Sequence, residues 1–107
     1  MFTHTSIRTS NMDKSIDFYT RLLGLKLVGR HEIPQNKAEI AFLQDVEGKG
    51  SRLELTFYRN QKKFIQADYE DRVFDHIAFD IDDMEETIAK LRREKVTITD
   101  EPFRIQV

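Results

Sequence analysis

His4-Thr5-Ser6-Ile7-Arg8-Thr9-Ser10-Asn11-Met12-Asp13-Lys14-Ser15-Ile16 aligns without a gap on His76-Ile77-Ala78-Phe79-Asp80-Ile81-Asp82-Asp83-Met84-Glu85-Glu86-Thr87-Ile88, an offset of 72 residues. The match is one of physical character more than of letters. Each copy opens a strand on a histidine. Six residues later comes a short polar side chain (Ser10, Asp82), and three after that an acid (Asp13, Glu85). A helix with apolar residues at matching places follows. Two copies of one unit predict a pseudo-twofold protein with a site between them.

The rest of each unit is read outward from these stretches. Residues 2–8 form a strand and 11–23 a helix, with Ser10 and Asp13 as a capping pair and Gly24 as the stop. Met12, Ile16, Tyr19, Leu22 and Leu23 share one face of that helix, and Phe18 joins Tyr19 as core. Strands follow over Leu25–Arg30, Ala38–Leu43 and Arg52–Tyr58, with turns at Pro34-Gln35-Asn36 and Gly48-Lys49-Gly50. The first unit is therefore strand-helix-strand-strand-strand. Arg59–Arg72 is a connection, partly helical. Phe74–Ile81 is the second unit's first strand, followed by a helix that Asp82 caps, with Met84, Ile88 and Leu91 on its buried face. A strand starts at Val96–Thr99 and breaks at Asp100-Glu101-Pro102. The organisation expected is one domain over 1–107: module one about 1–60, a linker about 61–72, and an incomplete module two about 73–107. The counterpart of Glu54 falls 72 positions further on, beyond Val107.

Composition narrows the function classes. A formal net charge of -2 and a pI near 5.9 provide no basic field for nucleic acid. There is no cysteine, so disulfides, thiolate ligands and a cysteine nucleophile are excluded together. The N-terminus has neither the basic nor the apolar region of a signal peptide, and no stretch reaches the roughly 20 apolar residues of a membrane span. The expected location is the cytoplasm.

Period-2 alternation sorts three strands into two faces each. One face carries Thr3, Thr5 and Ile7; Leu53, Leu55 and Phe57; and Ile77, Phe79 and Ile81. The other carries His4, Ser6 and Arg8; Arg52, Glu54, Thr56 and Tyr58; and His76, Ala78 and Asp80. The apolar faces hold the helices. The polar faces form a second surface with His4, Glu54 and His76 on it. Two imidazoles and a carboxylate suit a divalent transition metal, and three protein ligands leave positions open for water or substrate. A lone strand histidine is ordinarily an edge or core residue and a lone glutamate is ordinarily solvated. The equivalence of His4 and His76 under the repeat is what favours the metal reading. His31 is read as solvent-facing, and Asp82-Asp83 as helix capping.

His4 to Arg8, Met12 to Leu27, Leu53-Glu54-Leu55-Thr56 and Asp75 to Phe79 together resemble the vicinal oxygen chelate superfamily, most closely its short bacterial-type glyoxalase I (lactoylglutathione lyase) branch. The likeness runs from residue 3 to about residue 100. The segment from Ser15 to Leu25 is shared by many activities of the superfamily. Glu54 discriminates: glyoxalase I has Glu at that ligand position, where epimerases tend to have Gln, and dioxygenases and fosfomycin-resistance enzymes His. The resemblance implies an α+β fold of paired βαβββ modules whose sheets curl around one metal, completed across a homodimer. It implies His4, Glu54 and His76 as metal ligands, Ni²⁺ or Zn²⁺ as the metal, and glutathione as co-substrate. Arg8 matches an arginine that grips a glutathione carboxylate, although a plain surface arginine fits the residues equally. This sequence departs from the family twice. The fourth ligand, a glutamate late in the second module, has no counterpart, and Tyr58 stands where the family has an asparagine, with Asn60 the nearest one.

The implied reaction converts the hemithioacetal of methylglyoxal and glutathione into S-lactoylglutathione. A proton leaves C1 and returns to C2, and Glu54 is the candidate base. With the fourth ligand missing, the expectation is a shortened member or truncated form with a three-ligand site and weak or no turnover. Other readings are an epimerase or dioxygenase of the same superfamily, a metal-free small-molecule binder like the bleomycin-resistance proteins, and a non-functional fragment with an exposed strand edge.

Overall fold

A computed structural model describes residues 1–66, 68–70 and 73–103. Two compact units divide the chain, Met1–His76 and Ile77–Val107. The first is built on a four-stranded sheet, β1 (His4–Arg8), β2 (Lys26–Ile33), β3 (Ala38–Gln44) and β4 (Arg52–Tyr58), in the order β1-β4-β3-β2. β1 runs parallel to β4, and the β2-β3 and β3-β4 pairs are antiparallel. Mixed pairing follows from the connections: short loops join β2 to β3 to β4, whereas a helix separates β1 from the rest.

That helix is α1 (Met12–Asp17), continued by one wide turn of π-helix over Phe18–Leu22. Its cap is Asn11, whose side chain accepts from the Lys14 amide at 3.0 Å, so the expected start at Ser10 moves by one residue. The widening coincides with Thr20, whose hydroxyl donates to the Ile16 carbonyl at 2.7 Å and competes with the backbone donor there. Gly24 ends the helix as expected, at φ +81, where a side chain would be strained.

Alternation in β3 and β4 sends Ala41, Leu43 and Leu55 to one face, where they pack on Met12; all four are buried, and Leu43 and Leu55 are fully so. Ile7, Ile16, Tyr19, Leu25, Leu53 and Phe57 ring this core. Arg30 on β2 clamps the helix to the sheet, reaching Asp13 of α1 at 2.8 Å and Glu39 of β3 at 3.0 Å. β2 runs to Ile33, three residues beyond the expected Arg30. A bulge between Leu27 and Gly29 corrects its register, and Pro34 ends it.

The second unit differs more from expectation. It contains α2 (Met84–Arg93), capped by Asp83, whose side chain accepts from the Glu86 amide at 3.0 Å. The expected cap, Asp82, is one residue too early. Ile88 and Leu91 are half-buried but Met84 is 50% exposed, so the expected apolar face is only partly covered. Among the described residues no strand forms over 74–81 or 96–99, and no helix forms over 59–72. The missing strand has a physical cause. In the first unit β1 hydrogen-bonds to β4 alone, and among the described residues the second unit has no strand to serve as such a partner. A segment with strand patterning but no partner has no ladder to join. Among the described residues, no helix is long and apolar enough to cross a membrane.

Candidate functional site

The face of the sheet opposite α1 carries the expected polar residues. His4 is in register with Arg52, Ser6 with Glu54, and Arg8 with Thr56. His4 and Glu54 are therefore diagonal neighbours on adjacent strands, facing the same side. His4 is exposed, and its Nδ1 lies 3.0 Å from the Thr3 hydroxyl. Its ring meets Phe42 edge to face at 5.4 Å between centroids.

Glu54 is half-buried, which makes its anchoring consequential. The Thr56 hydroxyl donates to Glu54 Oε1 at 3.3 Å, and Ser6 Oγ sits 2.7 Å from Thr56 Oγ1. With Thr56 donating to the carboxylate, Ser6 must donate to Thr56. The result is a relay of two hydroxyls ending on the carboxylate. Thr56 is only 5% exposed, so water does not readily replace it. Arg8 is exposed; its guanidinium lies 4.6 Å from the Tyr58 ring centroid and donates to Gln61 Oε1 at 3.3 Å.

His76 is placed differently. It is exposed and outside any strand, with Nδ1 2.9 Å from Asp75 Oδ2. Among the described residues, no three His, Asp or Glu side chains gather as a metal cluster. The sheet thus brings His4 and Glu54 together and does not gather His76 with them. His31 is exposed, as expected, and its ring lies over Gly29; a Cβ there would come within 2.9 Å of His31 Nε2.

The donor set of the sheet, one imidazole and one carboxylate on adjacent strands, has the chemistry of a divalent metal site. An open groove of about 330 Å³ adjoins it, lined in part by His4, Phe42, Gln44 and Arg52. Two features were not legible as site features beforehand. Thr56 was visible on the polar face, but its bond to Glu54 was not. Phe42 needed the same alternation applied to β3, where it falls in register with Glu54.

The family model for the Glyoxalase/Bleomycin resistance protein/Dioxygenase superfamily matches residues 1–106. The chain belongs to this superfamily. It is 35% identical over 101 residues to the probable lactoylglutathione lyase of Vibrio cholerae, covering 92% of this chain and 70% of that one. It is 32% identical over 92 residues to the lactoylglutathione lyase of Neisseria meningitidis serogroup A, covering 85% of this chain and 64% of that one. The chain thus spans about two thirds of the length of these relatives. Among solved structures, the trypanothione-dependent glyoxalase I of Leishmania major superposes with a TM-score of 0.82 at 32% identity, over 96% of this chain and 72% of that one. The α+β glyoxalase fold expected from the sequence is therefore the fold of this protein, with strands in its first unit only among the described residues.

Proposed function

We propose that this chain carries a metal-dependent, glyoxalase I-type lactoylglutathione lyase centre, acting on the hemithioacetal of methylglyoxal and glutathione. The observation that carries the reading is the diagonal placement of His4 beside a half-buried, hydroxyl-anchored Glu54 on one sheet face. It stands in a chain 32–35% identical to lyases of that name. His4, Glu54 and His76 would hold a divalent ion, Ni²⁺ or Zn²⁺, in a cytoplasmic homodimer whose second copy completes the site.

Each imidazole has a polar partner at Nδ1 from the residue before it. Thr3 engages Nδ1 of His4, and Asp75 engages Nδ1 of His76. Thr3 and Asp75 are equivalent under the 72-residue repeat. An ionised carboxylate only accepts, so Nδ1 of His76 donates in that contact and Nε2 is the nitrogen left for ligation. A hydrogen-bonded partner on the other ring nitrogen is the usual arrangement for a ligating histidine. When bound, the metal offsets negative charge developing on the two neighbouring substrate oxygens.

The remaining steps belong to the chain. Glu54 takes the C1 proton and returns it at C2, while the proton of the C1 hydroxyl passes to the C2 oxygen, so no atom is gained or lost. Thr56, held by Ser6, fixes Oε1 and leaves the rest of the carboxylate for this work. Arg8 grips a carboxylate of the thiol in a bidentate fork. The test is thioester formation from methylglyoxal and glutathione with Ni²⁺ supplied. Turnover in the wild type that Glu54→Gln abolishes supports the reading. Equal rates in both proteins contradict it.

A further inference from the structure

We propose that Arg52 is a second anion anchor on this face, the residue that takes the carboxylate of the thiol co-substrate that Arg8 does not hold. This inference rests on the lyase reading of the same face. Every other arginine placed on or beside the sheet of the first unit has a carboxylate: Arg21 pairs with Asp17, Arg30 with Asp13 and Glu39, and Arg59 with Glu32. Among the described residues, Arg8 and Arg52 have none. Both are exposed and both project from the polar face, beside the one carboxylate, Glu54, that Thr56 already holds.

Their placement defines a length. Arg52 is level with His4, Arg8 is level with Thr56, and the Ser6/Glu54 row lies midway. Four residues of strand separate the two arginine rows, about 13 Å at the usual rise. A ligand bridging them places its middle over Glu54, where the reacting carbons must sit. A uniform positive patch would have no such centre.

Arg52 is also held on its platform. Its guanidinium lies 5.8 Å from the Phe42 centroid, and the same ring packs against His4. Its amide donates to the Thr3 carbonyl at 2.9 Å. It borders the groove beside His4, where Gln44 ties down the Gly50 carbonyl at 2.8 Å. Arginine stacked on an aromatic face, with its fork free, is well suited to a carboxylate. Arg8 repeats the arrangement on Tyr58 at the other end.

The test is calorimetric titration of the full chain, without metal, using S-hexylglutathione and its diethyl ester as probes. Arg52→Gln should weaken the diacid roughly tenfold or more, with the loss shrinking as salt is raised. The diester should bind the wild type and Arg52→Gln alike. Arg52→Lys should recover part of the affinity, separating lost charge from a damaged fold. The proposal is overturned if the wild type does not bind the diacid, if Arg52→Gln binds it as tightly as wild type, or if the diester suffers the same loss. A parallel Ni²⁺ titration of the same proteins without probe reports on the lyase reading alone: a wild type that takes up no metal ends that reading and leaves the Arg52 result standing.

Discussion

Replacing Thr56 by valine removes one hydroxyl and keeps the shape of the side chain, which separates the site from the fold. Thr56 is 5% exposed and its hydroxyl is bonded to Ser6 Oγ at 2.7 Å and Glu54 Oε1 at 3.3 Å. Each such bond contributes about 1 kcal/mol net. Ser6 is exposed and Glu54 half-buried, so water can reach both after the change. The added methyl is buried, which returns part of the loss. The expected destabilisation is therefore only about 1 kcal/mol, read from urea unfolding. The effect on the site is larger, because the carboxylate loses the group that fixes its orientation. Ni²⁺ affinity, read by calorimetry, should fall roughly tenfold or more, the scale found for groups that orient metal ligands. Unaltered Ni²⁺ affinity in a variant several kcal/mol less stable would refute the reasoning, since Thr56 would then be a core residue and nothing else.

Three further outcomes are expected. Leu55, one residue away and fully buried on the opposite face, should cost about 3–5 kcal/mol when cut to alanine, measured by urea unfolding, with the cavity left behind contributing part of it. Arg30→Ala should cost about 1 kcal/mol, because Arg30 and Asp13 are solvent-exposed and only Glu39 is mostly covered, and the difference should narrow in high salt. Burial raises the pKa of Tyr19 above 10.0. The fold therefore favours the neutral phenol, so stability is level below pH 10 and falls as pH climbs past it; Tyr19→Phe should flatten that alkaline limb in thermal melts.

Much of the first unit was readable because each of its elements has a period and a partner within reach. Alternation in β4 correctly separated Leu55 from Glu54, and the apolar stripe Met12, Ile16, Tyr19 named the face of α1 that meets the core. Both helix starts moved by one residue for one reason: Ser10 and Asn11, like Asp82 and Asp83, are neighbouring residues that can each cap. Only the backbone angles decide between them, with Asn11 and Asp83 extended. The strand expected over Phe74–Ile81 failed on a different principle. Alternation tells which way side chains point but not whether a second strand is there to bond. The mutual placement of His4 and Glu54 came from parallel register, which the pattern of one strand does not contain. Phe42 was missed because β3 is apolar on both faces at Ile40 to Leu43, so its alternation carries little contrast.

The central claim is that His4, Glu54 and His76 hold one metal. Calorimetric titration of the full chain with Ni²⁺, beside His4→Ala and His76→Ala, tests it most directly. The account predicts saturable uptake of one ion per chain, lost in both variants, with a protomer mass in solution that corresponds to a homodimer. Absence of saturable binding, or binding that survives both substitutions, would contradict it and leave a metal-free small-molecule binding module as the reading of this face.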